Sequence, residues 1–409
     1  MPENRLTTNC CICGGGPAGM MLGFLLARAG IDVIVLEKHK DFFRDFRGDT
    51  IHPSTIALID ELNLLDEFLQ VPHQDIKSFT AIYNGIEVGM ADFTKLKIKT
   101  PVLQLMPQWD FLNFLEKKAS AYKGFRLIKE AFVTDLIHNE DRVNGVFAQT
   151  PIGSLEIRAN IVIGTDGRSS TVRRKANLTV IATGAPIDVL WFRLSRTEND
   201  PKQVLGRFDK GRILVQLDRG EYWQCAYVIA KGDFDRIKQE GIVKFRQEIN
   251  EVAPFISNRT SELQTWDDIK LLSVAIDHLE RWYTDGLLCI GDAAHAMSPI
   301  GGVGINLAIQ DAVAAANILY PHLLRKEFIS IKILKKVQKR RAFPSRFIQR
   351  LQVAIQKGII TRKTNERKQK SLPLPFRILK TFPYLRRIPA RILGIGIRPE
   401  HIHTPDCNF

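Results

Sequence analysis

The sequence predicts an α/β fold: a Rossmann-like dinucleotide-binding core of the GxGxxG type, an inserted mixed or antiparallel β-sheet domain, and a helical C-terminal region. Three features predict it. The chain opens with an apolar run, a glycine-rich turn, a helical stretch and a second apolar run ending in an acid, which is the pattern of a β-α-β unit of about 30 residues. Buried-strand runs return far downstream, at 156–167 and 286–292, so the core is assembled from separated segments. Between 187 and 277, segments such as "GRILVQLDRG" alternate polar and apolar residues, as an antiparallel sheet with one wet face requires.

Taken in order, residues 9–13 read as a buried strand, 17–29 as a helix and 31–36 as a strand ending at Glu37. A helical stretch follows at 53–70, then short strand-like segments from 76 to 105, punctuated by Gly and Pro. Residues 108–122 have helical spacing, 125–137 read as strand, and 156–167 as a strand that reaches a sharp turn. "GLLCIGD" (286–292) is again a buried strand, and 304–319 a strongly apolar helix. Beyond 320 the chain reads as helical and basic to about 370, then as rich in Pro and apolar residues. The nucleotide-binding core is thus expected at 1–75, 106–180 and 278–325, a substrate domain at 76–105 and 181–277, and a basic helical tail at 326–409.

Composition narrows the class. At 409 residues, 45% apolar and 25% charged, the chain is long enough for one large or two medium domains. No uninterrupted apolar run approaches the ~18 residues that would span a bilayer, and the polar opening "MPENRLTTNC" leads straight into a strand. A cytoplasmic protein is expected. The six cysteines are too few for a disulfide scaffold in a chain of this length. Cys10 and Cys13 spell C-x-x-C, but residues three apart in a strand point to opposite faces, so they are expected as small core residues. The net charge of +14 is unevenly placed: from residue 321 onward there are 22 Lys and Arg against 4 Asp and Glu, so residues 1–320 carry a net −4.

Three motifs carry chemistry. In "GGGPAG", Gly14-x-Gly16-x-x-Gly19 follows a strand and opens a helix, with Gly15, Pro17 and Ala18 between. Gly14 permits the tight turn, Gly16 lets a pyrophosphate approach the backbone, and Gly19 allows close helix–strand packing. The N–H groups and positive end of the helix then face the phosphates. Glu37, 18 residues beyond Gly19 and followed by Lys38, ends the second strand where a carboxylate can accept bonds from ribose hydroxyls. The second motif, "GTDGRSSTVR" (164–173), brings a strand to Asp166-Gly167; alone it is equally an ordinary Asp-Gly turn. The third is "GDAAHAMSPIGGVGIN" (291–306). Asp292 stands just past a buried strand, and Pro299, Gly302 and Gly304 form a backbone-exposed loop feeding the helix that begins near Ile305 and Asn306. The positive end of that helix suits a flat ring that becomes anionic on reduction.

These motifs, in this order and spacing, resemble the FAD-dependent aromatic hydroxylases of the p-hydroxybenzoate hydroxylase type, the class A flavoprotein monooxygenases, over roughly residues 8–320. The resemblance makes the core an FAD-binding domain. It implies that Gly14 to Gly19, Glu37 and Lys38 hold the ADP half, Asp292 the ribitol, and the backbone from Pro299 to Asn306 the flavin ring. It implies that Asp166 and Gly167 serve both FAD and the nicotinamide donor. "RGDTIHP" (47–53) resembles the segment that passes beside the flavin, with Arg47 at the family's arginine position; Gln108 stands where relatives carry Arg or Gln toward FAD, and Val133 where backbone meets adenine.

Only one dinucleotide fingerprint is present, so NAD(P)H is expected as a transient reductant. The resemblance implies reaction of the reduced flavin with O2 to a C4a-hydroperoxide that hydroxylates an aromatic, quinone-precursor or polyketide-like polycyclic molecule. A flavin-dependent reductase or saturase of the same superfamily, or a non-catalytic FAD-binding sequestering protein, are the alternatives. The W-x-W-x-I-P segment of flavin halogenases has no counterpart in "YWQCAYVIAKG". No catalytic triad is expected, because the cofactor carries the chemistry. Arg47 and His52 are the candidate catalytic residues; His295, inside the flavin loop, is expected to be structural. No metal site is expected, since His401 and His403 lack a ligand cluster. The pocket is expected between flavin loop and inserted sheet, with Trp191, Phe192, Trp223 and Tyr227 as candidate lining. No reader motif accompanies the charge of the tail, so nucleic acid is not an expected partner. Its mixture of basic and bulky apolar residues suits peripheral contact with an anionic membrane at the inner face.

Overall fold

The structure, a computed structural model, describes residues 5–43, 50–201, 205–209, 212–363 and 372–408. Its central strand, Arg5–Cys13, is flanked on both sides by parallel neighbours, Val33–Leu36 and Gly153–Gly164. Phe125–Ile128 extends the layer beyond the first neighbour and Leu287–Cys289 beyond the second, both parallel. Where the layer is covered on both faces its strands are continuously apolar rather than alternating: Cys10, Cys11, Ile12 and Cys13, Val33–Leu36, and Ile161, Val162 and Ile163 are all buried. The cysteines are free thiols packed as core residues, and burial pushes the Cys10 and Cys289 thiols well above their ordinary value.

The strand begins four residues earlier than its apolar run, because Arg5–Thr8 pairs with Glu156–Ala159 at the exposed end of the layer. The stretch 125–137 is not one strand: the chain leaves the parallel layer at Ile128, turns through Glu130 with a left-handed φ of 55°, and starts a new antiparallel strand, Phe132–Asn139. Likewise 53–70 is two helices, Pro53–Glu61 and Leu65–Phe68, with Asn63 at φ 58° between them. Helix Pro17–Arg28 crosses from the first strand to the second, and its partner on the same face is helix Gly304–Leu324. The latter is long and apolar enough to cross a membrane, but 78% of its apolar window is buried inside the protein.

The inserted sheet has seven strands, in the order Lys270–Leu272, Ile187–Ser195, Tyr222–Ala230, Arg212–Asp218, Leu205–Asp209, Ser78–Tyr83 and Ile86–Asp92. Strands 78–83 and 86–92 thus join a sheet whose other members begin only at Ile187, through a parallel pairing of Leu205–Phe208 with Thr80–Tyr83. The expectation of sheet from 187 to 277 needs a correction: helices Phe234–Glu240 and Ile242–Val252 and a 3-10 segment, Pro254–Glu262, cover one face of the sheet. Phe245, Ile249 and Val252 are the buried stripe, a helical spacing inside a region whose neighbours alternate. The basic tail begins as helix Ile331–Lys363; the later Pro-rich stretch folds into short helices, Leu374–Thr381 and Arg387–Gly394, joined by a 3-10 turn, Pro383–Arg386.

Candidate active site

The three motifs meet because they follow three adjacent parallel strands. Cys13 pairs with Gly164, and Gly164 with Cys289. Each strand therefore delivers its loop to the same carboxyl edge of the sheet, where open α/β sheets bind ligands. The loops are tied to one another: Thr165 donates from its N–H to Cys13 O at 2.8 Å and from its hydroxyl to Gly14 O at 2.8 Å, and Ile290 N–H donates to Gly164 O at 3.0 Å.

The glycines divide their roles by geometry. A Cβ on Gly14, which has φ 118°, would stand 2.5 Å from Thr165 O, and one on Gly19 would stand 1.9 Å from Gly14 O. At Gly16 a Cβ would meet nothing within 4 Å, so this position opens to space in front of the helix. Helix Pro17–Arg28 has no side-chain cap, so its first N–H groups are presented at that opening. Glu37 is buried beside the loop and accepts from Gly15 N–H at 3.0 Å and His39 N–H at 3.1 Å; Lys38 is exposed. Ala131 N–H donates to Glu37 O at 2.9 Å, which brings Val133, two residues on and on an edge strand, to the same side of the site. Gln108 is half-buried and begins helix Gln108–Ala119.

Asp166 caps the short helix Thr171–Lys175, accepting from Thr171 N–H at 2.7 Å and Val172 N–H at 3.1 Å through Oδ2. Its Oδ1 is buried without a partner. Burial raises its pKa, outweighing hydrogen bonds from Ser170 and the backbone. Gly167, at φ 81°, turns the chain away. Arg173 then bridges two motifs, donating to Asp277 Oδ1 at 3.1 Å and to Ala293 O at 3.4 Å, one residue past the half-buried Asp292.

The last loop is held from the other side. Asn306, in the first turn of helix Gly304–Leu324, accepts from His52 N–H at 2.8 Å and Thr55 Oγ1 at 2.7 Å and donates to Thr50 O at 3.1 Å. A Cβ on Gly302 would lie 2.7 Å from Thr50 Oγ1, so the loop lies directly on the 50–55 segment. Ile305 is buried; Pro299, Gly302 and Gly304 are half-buried at the loop surface.

With this geometry in view, comparison with known proteins is decisive. Residues 7–350 match the family model described as "FAD binding domain". The chain is 30% identical to the 6-methylpretetramide 4-monooxygenase of Streptomyces rimosus over 86% of this chain and 84% of that one. This protein belongs to the FAD-dependent aromatic hydroxylases. It is also 25% identical to the para-nitrophenol 4-monooxygenase of Pseudomonas sp. strain WBC-3, over 75% and 76% of the two chains. The anhydrotetracycline hydroxylase of Streptomyces rimosus has the same fold, with a TM-score of 0.75 at 20% identity over 96% of this chain and 77% of that one.

The hydroxylase binds FAD, and its residues fit that group: an open backbone cradle at Gly16, an uncapped helix behind it, and the unpaired buried Asp166 Oδ1 at the next loop. Arg47 lies outside the described residues. His52 is fully buried, its Nδ1 2.7 Å from Leu393 O, and burial lowers its pKa to about 4. Its ring is therefore neutral at pH 7. Because the unfolded ring takes up a proton near 6.5 and the folded one only near 4, stability contributed by neutral His52 is present above pH 6.5 and falls as the pH drops toward 4. Denaturation of a His52→Asn hydroxylase, compared with the native chain across pH 7 to 4.5, is expected to lose this slope; an unchanged slope would assign the titration elsewhere.

Among the expected lining residues, Phe192, Trp223 and Tyr227 point into the cluster with Phe245 and Ile249; alternation along the strands puts only Trp191 on the opposite face, in the cluster with Ile300 and Val353. The hydroxylase also uses residues the sequence did not single out. Helix Ile331–Lys363 lies along the loop that holds Ala296, Ser298 and Ile300. Gln349 Nε2 donates to Ala296 O and Asp277 O, both at 2.8 Å, and Gln352 Nε2 to Ser298 O at 3.0 Å and Ile300 O at 2.8 Å. Gln352 Oε1 accepts from Ser298 N–H at 3.2 Å. The only sequence signal was the three-residue spacing of glutamines in a basic helix. Gln352→Leu strands these groups in a buried setting and is expected to lower stability by about 2–4 kcal/mol and to release FAD at lower temperature than the native chain. Flavin fluorescence on heating measures it; unchanged release would show that the loop holds its shape unaided.

His295 is buried and held by ionic contacts. Its Nε2 is 2.5 Å from Asp311 Oδ2, Arg341 Nε donates to Asp311 Oδ1 at 2.9 Å, and Arg341 Nη1 to Glu400 Oε1 at 3.2 Å. This buried chain fastens the flavin loop, its helix, the basic helix and the C-terminal segment into one block.

Proposed function

We propose that this protein hydroxylates a fused-ring, phenolic, polyketide-like molecule, with NAD(P)H as a transient reductant and O2 as co-substrate. The observation that supports it most is the convergence of the three loops on one sheet edge, facing an inserted sheet whose flavin-side surface is apolar around Val189, Ala226, Val215 and Ile300. When bound, FAD supplies reduction by NAD(P)H and activation of O2; the chain supplies the rest. Gly14 to Gly19 and the helix behind them take the pyrophosphate, Glu37 and the Val133 backbone the adenosine side, Asp292 the ribitol, and the loop from Pro299 to Asn306 the ring. The positive end of helix Gly304–Leu324 favours negative charge on the reduced ring. The packed inserted sheet keeps water from the reacting atoms.

One group is suited to orient such a substrate. One turn beyond Gln352, Gln356 is fully buried with neither amide atom hydrogen-bonded, and Val353 beside it packs on the flavin-side surface of the sheet. A buried amide left unpaired is costly, and the adjacent hydroxyl and carbonyl of a polyketide aromatic match its donor and acceptor. Purified holoprotein given NADPH and anhydrotetracycline as probe is expected to consume O2 and yield a product heavier by one oxygen atom. Product formed without O2 would favour a reductase, and a flavin that NAD(P)H never bleaches would favour a sequestering protein. Gln356→Leu is expected to raise the KM for the probe about tenfold or more, while retaining stoichiometric FAD. An unchanged KM would remove Gln356 from substrate binding.

A further inference from the structure

We propose that the C-terminal segment 374–391 is a docking surface for an anionic lipid bilayer. The segment has two faces. Its inner face is part of the fold: Phe376 packs edge-on against Tyr83 and Phe208 of the inserted sheet, at 5.8 Å from each ring, and Ala390 is fully buried with Phe93, Leu103 and Leu105. Just beyond, the Leu393 carbonyl accepts from Nδ1–H of buried His52 at 2.7 Å. The segment is therefore fixed in place without any further partner.

Its outer face is apolar and basic. Leu374 and Tyr384 are 64% exposed, Phe382 58% and Ile388 49%, with Ile378 at 39%. Arg377, Lys380, Arg387 and Arg391 are exposed among them, and Arg387 stacks on the Tyr384 ring at 3.8 Å. From 372 to 399 there is no Asp or Glu. A merely solvated basic face has no reason to hold a Phe, a Tyr and three aliphatic side chains in water. Aromatic and aliphatic side chains interleaved with cations are what a helix lying in the headgroup layer presents. An acidic protein surface would satisfy the cations, but the bulky side chains stand out singly along three short, successive turns, which suits a deformable acyl boundary. Bound this way, the sheet end against which Phe376 and Ala390 pack would face the bilayer, from which an apolar ring system can be drawn.

The test is co-sedimentation of FAD-loaded full-length protein with vesicles of phosphatidylglycerol mixed into phosphatidylcholine, and with phosphatidylcholine alone. Each basic residue near an anionic surface is worth about a fivefold change in partitioning, so Arg387→Glu with Arg391→Glu is expected to weaken binding by more than about 25-fold. Salt at about 1 M, where the screening length is roughly 3 Å, is expected to abolish most of it. Phe382→Ser with Tyr384→Ser is expected to weaken binding while leaving FAD content and solution activity unchanged. Protein that stays in the supernatant with anionic vesicles, or that binds neutral vesicles equally well, overturns the proposal. So does binding that neither pair of substitutions alters.

Discussion

Gly16→Val is expected to yield a folded, colourless protein. Gly16 has φ −74° and ψ −176°, an extended conformation open to valine, and a Cβ there meets no protein atom within 4 Å. What it would meet is the pyrophosphate of FAD held as proposed above. Losing two charge-assisted hydrogen bonds to backbone N–H groups costs about 3–6 kcal/mol, roughly 10²- to 10⁴-fold in FAD affinity. Visible flavin absorbance after incubation with excess FAD reads the loss, and thermal unfolding of the FAD-free proteins is expected to match. Gly14→Ala and Gly19→Ala are expected to do the opposite, lowering expression and stability before flavin is considered, because their side chains would strike backbone at 2.5 and 1.9 Å. A fully flavinated Gly16→Val protein would mean that the phosphates lie elsewhere.

The second large effect is expected at Arg341. Its guanidinium, 1% exposed, sits between Asp311 and Glu400. Arg341→Met fills similar space but leaves the wholly buried Asp311 carboxylate with only His295 and the Gly291 N–H, and removing one partner of a buried pair costs about 3–5 kcal/mol. Denaturant midpoints are expected to fall accordingly, and the double variant Arg341→Met with Asp311→Asn to recover part of the loss, since the uncompensated charge is then gone. Burial raises the pKa of Asp311, but His295 and Arg341 outweigh it, and the net shift is downward. Its contribution to stability is therefore present above about pH 4 and lost as the pH falls through its lowered value. An additive double variant, or an unchanged midpoint, would show that the pair is not the fastening it looks to be.

How much of this was legible depended on how local the signal was. The glycine loop, Asp166-Gly167 and the Asp292 loop each follow a strand within a few residues, so periodicity and turn chemistry suffice to place them. Their meeting at one edge followed from counting them as three strands of one sheet. Glu130 hid a change of strand because an αL residue other than Gly or Asn leaves little trace in sequence. Helix Ile242–Val252 was masked by the alternating segments around it, although Phe245, Ile249 and Val252 carry its period. The fastening of Asp311, Arg341 and Glu400 spans separations of 30 and 59 residues, and Gln352 reaches its loop across 54. Such pairings depend on tertiary placement, which a single chain's spacing does not encode. For Trp191, Phe192, Trp223 and Tyr227, alternation showed that they divide between two faces but not which face met the flavin.

The order of strands in the parallel layer has a further consequence, for synthesis on the ribosome. The first strand to emerge, Arg5–Cys13, is central, and its neighbour Gly153–Gly164 waits in turn for Leu287–Cys289. Non-local parallel pairings of this kind form slowly. A nascent chain of two-thirds length therefore carries the apolar end of that strand, Ile161, Val162 and Ile163, with one ladder incomplete, so Cys289 of the 409 residues must emerge before the sheet can close. Until then the emerging polypeptide is a client for chaperones rather than an enzyme.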